Sequence, residues 1–296
     1  MKKTSLVFFG SGPVADESLR FLLETFEVEA VITKPKPDHH RGNMPTIELC
    51  KEKGVSYHTP ASKAELSKLF ETQNFRSELG VVIDYGIIIS QSVIDYFAYG
   101  IVNSHFSLLP QWRGADPITY AILSGQETTG VSLMLINDRM DEGPIIAQES
   151  LHLVDNETSE TLTTKLVQLS NSLLSIGVPK YLDGDLKPVP QLGDPTYSHK
   201  LRKQDGLIDW TKPAEQIERE IRAYLTWPRS YTKFGDIDAI IRSAKVVDGQ
   251  GTPGAIEQDK CSLMVFCGKD ALAIDVIQPA GKKEMPIQAF LAGYTI

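Results

Sequence analysis

Cysteine is scarce in this chain: of 296 residues only Cys50, Cys261 and Cys267 are cysteines, and no two of them form a C-x-x-C pair. An odd, scattered set supports neither a disulfide framework nor a thiolate zinc site, so these thiols read as buried or idle and no metal is expected. Long apolar runs are missing as well. None approaches the roughly 18 residues of a membrane span, which excludes a transmembrane helix. The start, Met1 to Phe9, has a Lys pair and a short apolar stretch, but Gly10, Gly12 and Pro13 end it well short of a secretory h-region. A cytoplasmic protein with no membrane partner is expected. Excess positive charge is also lacking: the formal charge of −8 gives no global attraction to nucleic acid, so any RNA partner needs a local basic surface. There is no internal repeat and no low-complexity tract.

What is present is the composition of a globular protein, 42% hydrophobic and 23% charged. The length exceeds the roughly 100–200 residues of one ordinary domain, so one large or two moderate domains are expected. Ser5 to Phe9 is a continuous apolar run, as in a strand buried on both faces, and Gly10-Ser11-Gly12-Pro13 turns it into a helix carrying Leu19, Leu22, Leu23 and Phe26 on one face. Strands follow at Val28 to Ile32, Val55 to His58, Leu79 to Tyr85, Gly100 to His105, Gly130 to Ile136 and Ile145 to Leu151. Helices fall between several of them, one through Ile47 to Lys53 and another opened by the capping box Ser62 and Glu65. This alternation predicts an α/β fold with a doubly wound, mostly parallel, Rossmann-like sheet.

Leu162, Leu166, Leu169, Leu173 and Ile176 recur at helical spacing and close the first domain, expected over residues 1–188. Residues 189–206 lie in a stretch rich in Pro, Gly, Asp and Lys and read as a linker. Over residues 207–296, a helix around Ile217 to Leu225 precedes short strand-like runs broken by Gly and Pro, which predict a small β-barrel or sandwich.

Gly10, Gly12 and Ala15 satisfy the dinucleotide fingerprint G-x-G-x-x-G/A in its usual place. The second strand, however, ends in Thr33-Lys34-Pro35, where a nicotinamide dinucleotide site wants an acid for the ribose hydroxyls. A 2′-phosphorylated cofactor remains compatible with the basic residues there, but a plain tight turn under a helix explains the glycines more simply.

Chemistry concentrates elsewhere. Asn103 and His105 stand two apart at the C-terminal end of a strand, so both project from one face, where open α/β sheets build their sites. Asp141 lies in a loop after another strand and can reach the same crevice. An amine attacking a carbonyl needs a proton acceptor, and an imidazole with an ordinary pKa of about 6.5 suits that work. The carbonyl oxygen becomes an oxyanion, to which the Asn103 amide can donate, while Asp141 can orient the imidazole and stabilise its charged form. Each residue alone also has an ordinary structural reading, as a hydrogen-bonded strand end or a turn aspartate.

The text around them is more specific. Asn103-Ser104-His105-Phe106-Ser107-Leu108-Leu109-Pro110, then Arg113-Gly114-Ala115 and Pro117, with Thr129-Gly130-Val131 and Asp141-Glu142-Gly143, resembles the formyltransferase family that uses 10-formyltetrahydrofolate. The resemblance implies catalytic roles for Asn103, His105 and Asp141. It places Ser107, Leu108, Leu109 and Pro110 at the folate site and Tyr85, Gly86, Ile87 and Ile88 in the wall of the pterin pocket. Leu207-Ile208-Asp209-Trp210, Ile221-Arg222-Ala223, Trp227-Pro228 and Gln278 to Met285 resemble the branch of the family whose acceptor is initiator methionyl-tRNA. That implies an OB-like barrel that helps to hold tRNA. Candidates for phosphate contact are Lys34, Lys36, Arg41, Lys200, Arg202, Lys203, Lys282 and Lys283, each of which otherwise reads as solvated charge. Trp210 and Trp227 read as packing residues, and His39-His40 lacks the neighbours of a metal site.

The loop Lys34 to Met44 is shorter than the branch's usual tRNA-contacting insertion and lacks a Lys pair after Arg41-Gly42, so acceptor-stem contacts are expected to differ. Asp116 stands where a small apolar residue is usual. Two other functions remain open: formylation of another amine such as an amino sugar nucleotide, and non-catalytic RNA binding. Retention of Asn103, His105 and Asp141 together speaks against the second.

Overall fold

The first apolar run forms β1 (Ser5–Gly10) in a computed structural model that describes residues 3–37 and 42–296. Leu6 to Phe9 are fully buried, as a strand covered on both faces requires. The chain turns at Gly12, φ 90°, into α1 (Pro13–Thr25). A Cβ on Gly10 would lie 2.6 Å from the Phe8 ring and 2.7 Å from the Ala15 Cβ, so this glycine serves the close approach of helix and strand. Thr33, beyond the second strand, is buried with its hydroxyl 3.2 Å from that of Ser11. The fingerprint is thus accounted for by packing.

The remaining elements of the first half are β2 (Glu27–Ile32), α2 (Pro45–Lys53), β3 (Ser56–His58), α3 (Lys63–Thr72), β4 (Gly80–Ile83), α4 (Gln91–Ile94), β5 (Ile101–His105), β6 (Arg113–Gly114), α5 (Pro117–Ser124), β7 (Thr128–Leu135), β8 (Ile145–His152) and α6 (Ser159–Leu182). Helix α3 opens on half of the expected box: Ser62 Oγ accepts from Glu65 N at 3.2 Å, but Glu65 Oε2 reaches one residue further back, accepting from Ala61 N at 2.9 Å. Seven strands form one sheet in the order β3-β2-β1-β4-β5-β7-β8. The first five are parallel, and β7 then runs antiparallel to both β5 and β8. The expected doubly wound, mostly parallel architecture is present, and the order reverses beside β1, which opens a crevice at the C-terminal strand ends.

One expectation about α6 needs correction. Leu162 and Leu166 are buried, but Ile176 is 57% exposed. The stripe facing the sheet passes instead through Ser170, Leu174, Gly177 and Val178. Ser170 Oγ meets Ser104 Oγ at 2.6 Å, and a Cβ on Gly177 would come within 2.9 Å of Leu133. Small residues let the helix sit close, and apolar periodicity does not register them.

Contacts group the chain into two compact units, one of residues 1–114, 128–152 and 163–197, the other of residues 115–127, 153–162 and 198–296. β9 (Tyr197–Ser198) spans the last residue of the first unit and leads, in the second, to a 3-10 turn (Lys203–Gly206), α7 (Ala214–Ala223), β10 (Tyr231–Phe234), β11 (Ile237–Val247), β12 (Ile256–Gln258), β13 (Leu263–Phe266), β14 (Ala271–Pro279), β15 (Met285–Pro286) and α8 (Ile287–Gly293). The antiparallel order β10-β11-β14-β13-β12, with β15 on β14, makes a half-barrel whose core includes Ile217, Ile221, Ile241, Leu272, Ile277 and Phe290. Trp210 packs on this core and donates to Thr232 Oγ1 at 3.1 Å, as expected of a packing residue. Trp227 differs: it is 53% exposed, and its indole N–H reaches the Leu201 carbonyl at 3.3 Å.

The carboxylate of Glu29, on β2, accepts from Arg76 N at 2.9 Å, Ser77 N at 2.7 Å and Ser77 Oγ at 2.6 Å. Burial alone would raise its pKa, but these bonds and the Arg76 charge hold it below the ordinary range. A carboxyl group depressed in the folded state stabilises above its unfolded pKa of about 4.3 and loses that contribution as pH falls through the folded value. Glu29→Gln should therefore destabilise by about 2 kcal/mol at pH 7 in urea unfolding, and the difference from wild type should shrink as pH falls below about 4. A difference that does not vary with pH would dismiss the charged bonds as its source.

Candidate active site

Strand β5 presents its two faces to different tasks. Ser104 points to α6, whereas Asn103 and His105 project from the other side. In register, Asn103 pairs with Val82 of β4 and Met134 of β7, and His105 with Ser132. Asn103 thus emerges between two apolar neighbours, and His105 beside a serine.

The chain after β5 folds back on it. Ser107 Oγ donates to the Gln111 carbonyl at 2.5 Å, and Ser132 Oγ donates to the Ser107 carbonyl at 2.6 Å and accepts from Leu109 N at 3.0 Å. Gln148 Nε2 adds a bond to the Leu109 carbonyl at 2.9 Å, and the Leu109–Pro110 peptide is cis. This loop returns Trp112, held at φ 55°, so that its carbonyl lies 2.9 Å from His105 Nε2. A carbonyl only accepts, so Nε2 carries the hydrogen and the lone pair of the neutral ring belongs to Nδ1.

Nδ1 faces Asp141 Oδ2 at 3.7 Å. Asp141 sits in the β7–β8 loop at φ 52°, and its Oδ2 also accepts from Gly114 N at 2.8 Å. Its Oδ1 accepts from Asn103 Nδ2 over a long 3.4 Å. The three residues expected to converge do so. The side chains of His105 and Asp141 are 7% and 15% exposed, so their mutual field is less screened than at a surface. Sequence reasoning gave Asp141 the tasks of orienting the imidazole and stabilising its charged form; the Trp112 carbonyl also holds the ring, at Nε2, while Asp141 faces Nδ1. The Trp112 carbonyl and Gly114 amide are backbone groups, which no residue type announces.

The arrangement supplies a base, an anion to stabilise its protonated form, and an amide donor. A built-in nucleophile is a different matter. Burial pushes the Cys50 and Cys267 thiols up to about 11, and the Ser107 hydroxyl donates within its own loop. Such a site suits attack by a nucleophile that the substrate brings.

The other expected site residues fall into distinct settings. Leu109 is buried with Met134 and Ile145, and Leu108 packs over Gly130. Tyr85 is 2% exposed and turns its ring against Phe9, with centroids 5.7 Å apart, so its side chain serves the core. Gly86 at φ 71°, Ile87 and Ile88 follow in an irregular segment, with Ile88 73% exposed. Lys36, Lys200, Arg202, Lys203, Lys282 and Lys283 are exposed; Arg41, His39 and His40 lie outside the described residues. Among the described residues no cluster of three His, Cys, Asp or Glu side chains is arranged to hold a metal ion.

Comparison with known proteins agrees with this geometry. Residues 7–176 match the formyl transferase family, and residues 200–295 match the formyl transferase C-terminal domain. The methionyl-tRNA formyltransferase of Myxococcus xanthus is 34% identical over 302 residues, which cover 100% of this chain and 97% of that protein. The methionyl-tRNA formyltransferase of Caldanaerobacter subterraneus is 35% identical over 300 residues, covering 98% and 97%. An N-formyltransferase from Helicobacter canadensis, solved with folinic acid and dTDP-3-aminofucose, is similar with a TM-score of 0.69 at 16% identity, over 96% of this chain and 100% of that one. HypX from Aquifex aeolicus, solved with tetrahydrofolic acid, gives 0.65 at 15%, over 99% and 47%. At such identities the last two speak for the fold alone.

The loop that carries Asp141 depends on Gly143, where a Cβ would stand 1.7 Å from the Leu135 carbonyl oxygen. Backbone must move to admit a methyl group there. Gly143→Ala should lower stability by about 2 kcal/mol or more, whereas Gly293→Ala, with nothing within 4 Å, should stay within about 0.5 kcal/mol of wild type. Thermal melts compare the two; equal midpoints would mean that the loop yields freely.

Proposed function

The chain belongs to the formyl transferase family, and from that premise we propose that it transfers the formyl group of 10-formyltetrahydrofolate to the α-amino group of initiator methionyl-tRNA, a step of translation initiation carried out in the cytoplasm. The site-level support is His105 Nδ1, a ring nitrogen with a free lone pair, 3.7 Å from a carboxylate and beside an amide donor on the same face.

The folate supplies the formyl carbon; everything else falls to this chain's residues. An α-amine has a pKa of about 8 and is mostly protonated near neutral pH, so it needs an acceptor before or during attack. Nδ1 takes that proton, and Asp141 stabilises the imidazolium. As the amine attacks, negative charge grows on the formyl oxygen. Asn103 gives up its long 3.4 Å bond to Asp141 and donates Nδ2–H to that oxygen. His105 then passes its proton to the departing nitrogen, so no covalent enzyme intermediate is required.

For the donor, the segment Gly86 to Ile88 has the right character. Among the described residues its backbone groups take part in no backbone hydrogen bond, and isoleucines flank them, as the edge and faces of a pterin ring require. Leu108, Leu109 and Pro110 offer further apolar surface for it after β5. For the acceptor, Lys200, Arg202, Lys203, Lys282 and Lys283 offer exposed cations in the second unit, and Lys36 offers one in the first. These serve phosphates.

Incubating the protein with 10-formyltetrahydrofolate and either methionyl-tRNA or an amino sugar nucleotide tests the reading, with formylmethionine on the tRNA as the expected product. Formylation of the sugar alone would overturn the choice of acceptor. His105→Ala should lose roughly 10²–10⁴-fold in kcat, and Asn103→Ala about 10²–10³-fold, with folate binding nearly unchanged in both. Unchanged turnover removes the residue from the mechanism. Replacing Lys282 and Lys283 together by alanine should raise the KM for tRNA, leave kcat alone, and flatten the salt dependence of binding by about one unit of slope per lost contact.

A further inference from the structure

Asp141 occupies a backbone region that costs a non-glycine residue about 1–2 kcal/mol, so something must hold it there. The strongest hold comes from Gln191, in the stretch that reads as a linker. Its Nε2 donates to the Asp141 carbonyl at 2.7 Å and to the Gly143 carbonyl at 2.9 Å. Its Oε1 accepts from Arg113 Nε at 3.1 Å and Nη2 at 2.8 Å. Both donor hydrogens and both lone pairs of the amide are thereby used, and the orientation of the amide is fixed, because neither the carbonyls nor the guanidinium can exchange roles. Arg113 also meets Glu142 Oε1 at 3.2 Å with its own side chain 11% exposed, so the guanidinium grips the loop directly at Glu142 as well as through Gln191.

We infer that Gln191, braced by Arg113, is the positioning residue of the acid–base pair: it clamps the backbone of the loop at the Asp141 and Gly143 carbonyls so that the Asp141 carboxylate faces His105 Nδ1. The arrangement has a further economy. Three consecutive residues each secure one component: the Trp112 carbonyl holds His105, the Arg113 side chain braces Gln191, and the Gly114 amide holds the Asp141 carboxylate. The hydrogen bonds of Gln191 run to Arg113 and to the Asp141 loop and not to His105 or Asn103, so it acts through Asp141. This inference rests on the proposed formyl transfer for its kinetic consequence, but the clamp itself is a physical arrangement that is measurable without any substrate.

The test replaces Gln191 by Met, of similar length and without hydrogen bonds, alone and combined with Asp141→Asn. If the clamp positions Asp141, Gln191→Met lowers kcat roughly 10- to 100-fold with KM for both substrates unchanged, the scale of misplacing a catalytic group by about 1 Å. In the Asp141→Asn background the same change costs less than twofold, because the partner through which it acts is already lost. An effect confined to KM, no effect on kcat, or an equal loss in both backgrounds overturns the inference. A wild-type protein that fails to formylate methionyl-tRNA defeats the functional reading instead. The clamp is then read by amide hydrogen exchange at Gly114, whose N–H is bound by Asp141 Oδ2. Gln191→Met should reduce its protection at least tenfold while that of Val102, in the centre of β5, is unchanged. Equal protection of Gly114 in the two proteins overturns the clamp regardless of substrate.

Discussion

The 2.9 Å hydrogen bond from His105 Nε2 to the Trp112 carbonyl decides which ring nitrogen keeps the lone pair, and a chain of contacts in the first unit is needed to make it. It requires Trp112 to stand in the left-handed region, which in turn requires the loop from Phe106 to Gln111 to close tightly. The closure is made by Ser132 and Gln148, which project from the two antiparallel strands β7 and β8. Those strands depart from the parallel pattern, and their departure brings polar side chains alongside the end of β5. Had the ring nitrogens exchanged roles, the Nε2 lone pair would face the lone pairs of the Trp112 carbonyl, and the side of the ring toward Asp141 would carry a donor and no acceptor.

Much of this was legible beforehand, for identifiable reasons. Buried strands such as Ser5 to Phe9 announce themselves by continuous apolar character, and the Ser62–Glu65 box by its spacing. The convergence of Asn103 and His105 follows from period-two alternation alone. What escaped has equally specific causes. The Trp112 carbonyl and Gly114 amide belong to the backbone, so the reason His105 is oriented had no residue to carry it. Gln191 lies among Pro, Gly and Asp residues whose composition describes a linker, and composition is silent about one side chain turned back to a loop. Ser170 and Gly177 face the sheet because they are small, whereas Ile176, which periodicity favoured, is left in solvent.

The units are also less sequential than the order of elements implies. Helix α5 and residues 153–162 group with the C-terminal half, although both lie within the stretch read as the first domain. Arg222 of α7 donates to the Glu157 carbonyl, and the Arg219 guanidinium lies over Gly125 at the end of α5, where a helix C-terminus favours a cation. Such contacts join segments far apart in the chain. A boundary drawn where the composition changes does not detect them, since each segment is unremarkable by itself.

Magnitudes explain why so many hydrogen bonds gather around two residues. Trp112 and Asp141 each stand at positive φ, an expense of about 1–2 kcal/mol apiece before any chemistry. A neutral hydrogen bond returns about 1 kcal/mol net, and one to a charged group about 1.5–3. The Asp141 loop has two bonds from Gln191 and one charged bond from Gly114, enough to outweigh its strain, whereas the contact with Asn103 at 3.4 Å adds little. That inequality matters for a site without its own nucleophile. With attack left to the substrate, the proposed reaction asks position and charge of the protein: Asp141 held rigidly by groups that take no part in it, and Asn103 held loosely, so that its donor can leave the carboxylate as negative charge appears elsewhere. The strong bonds then belong to the frame, and the weak one to the group proposed to move.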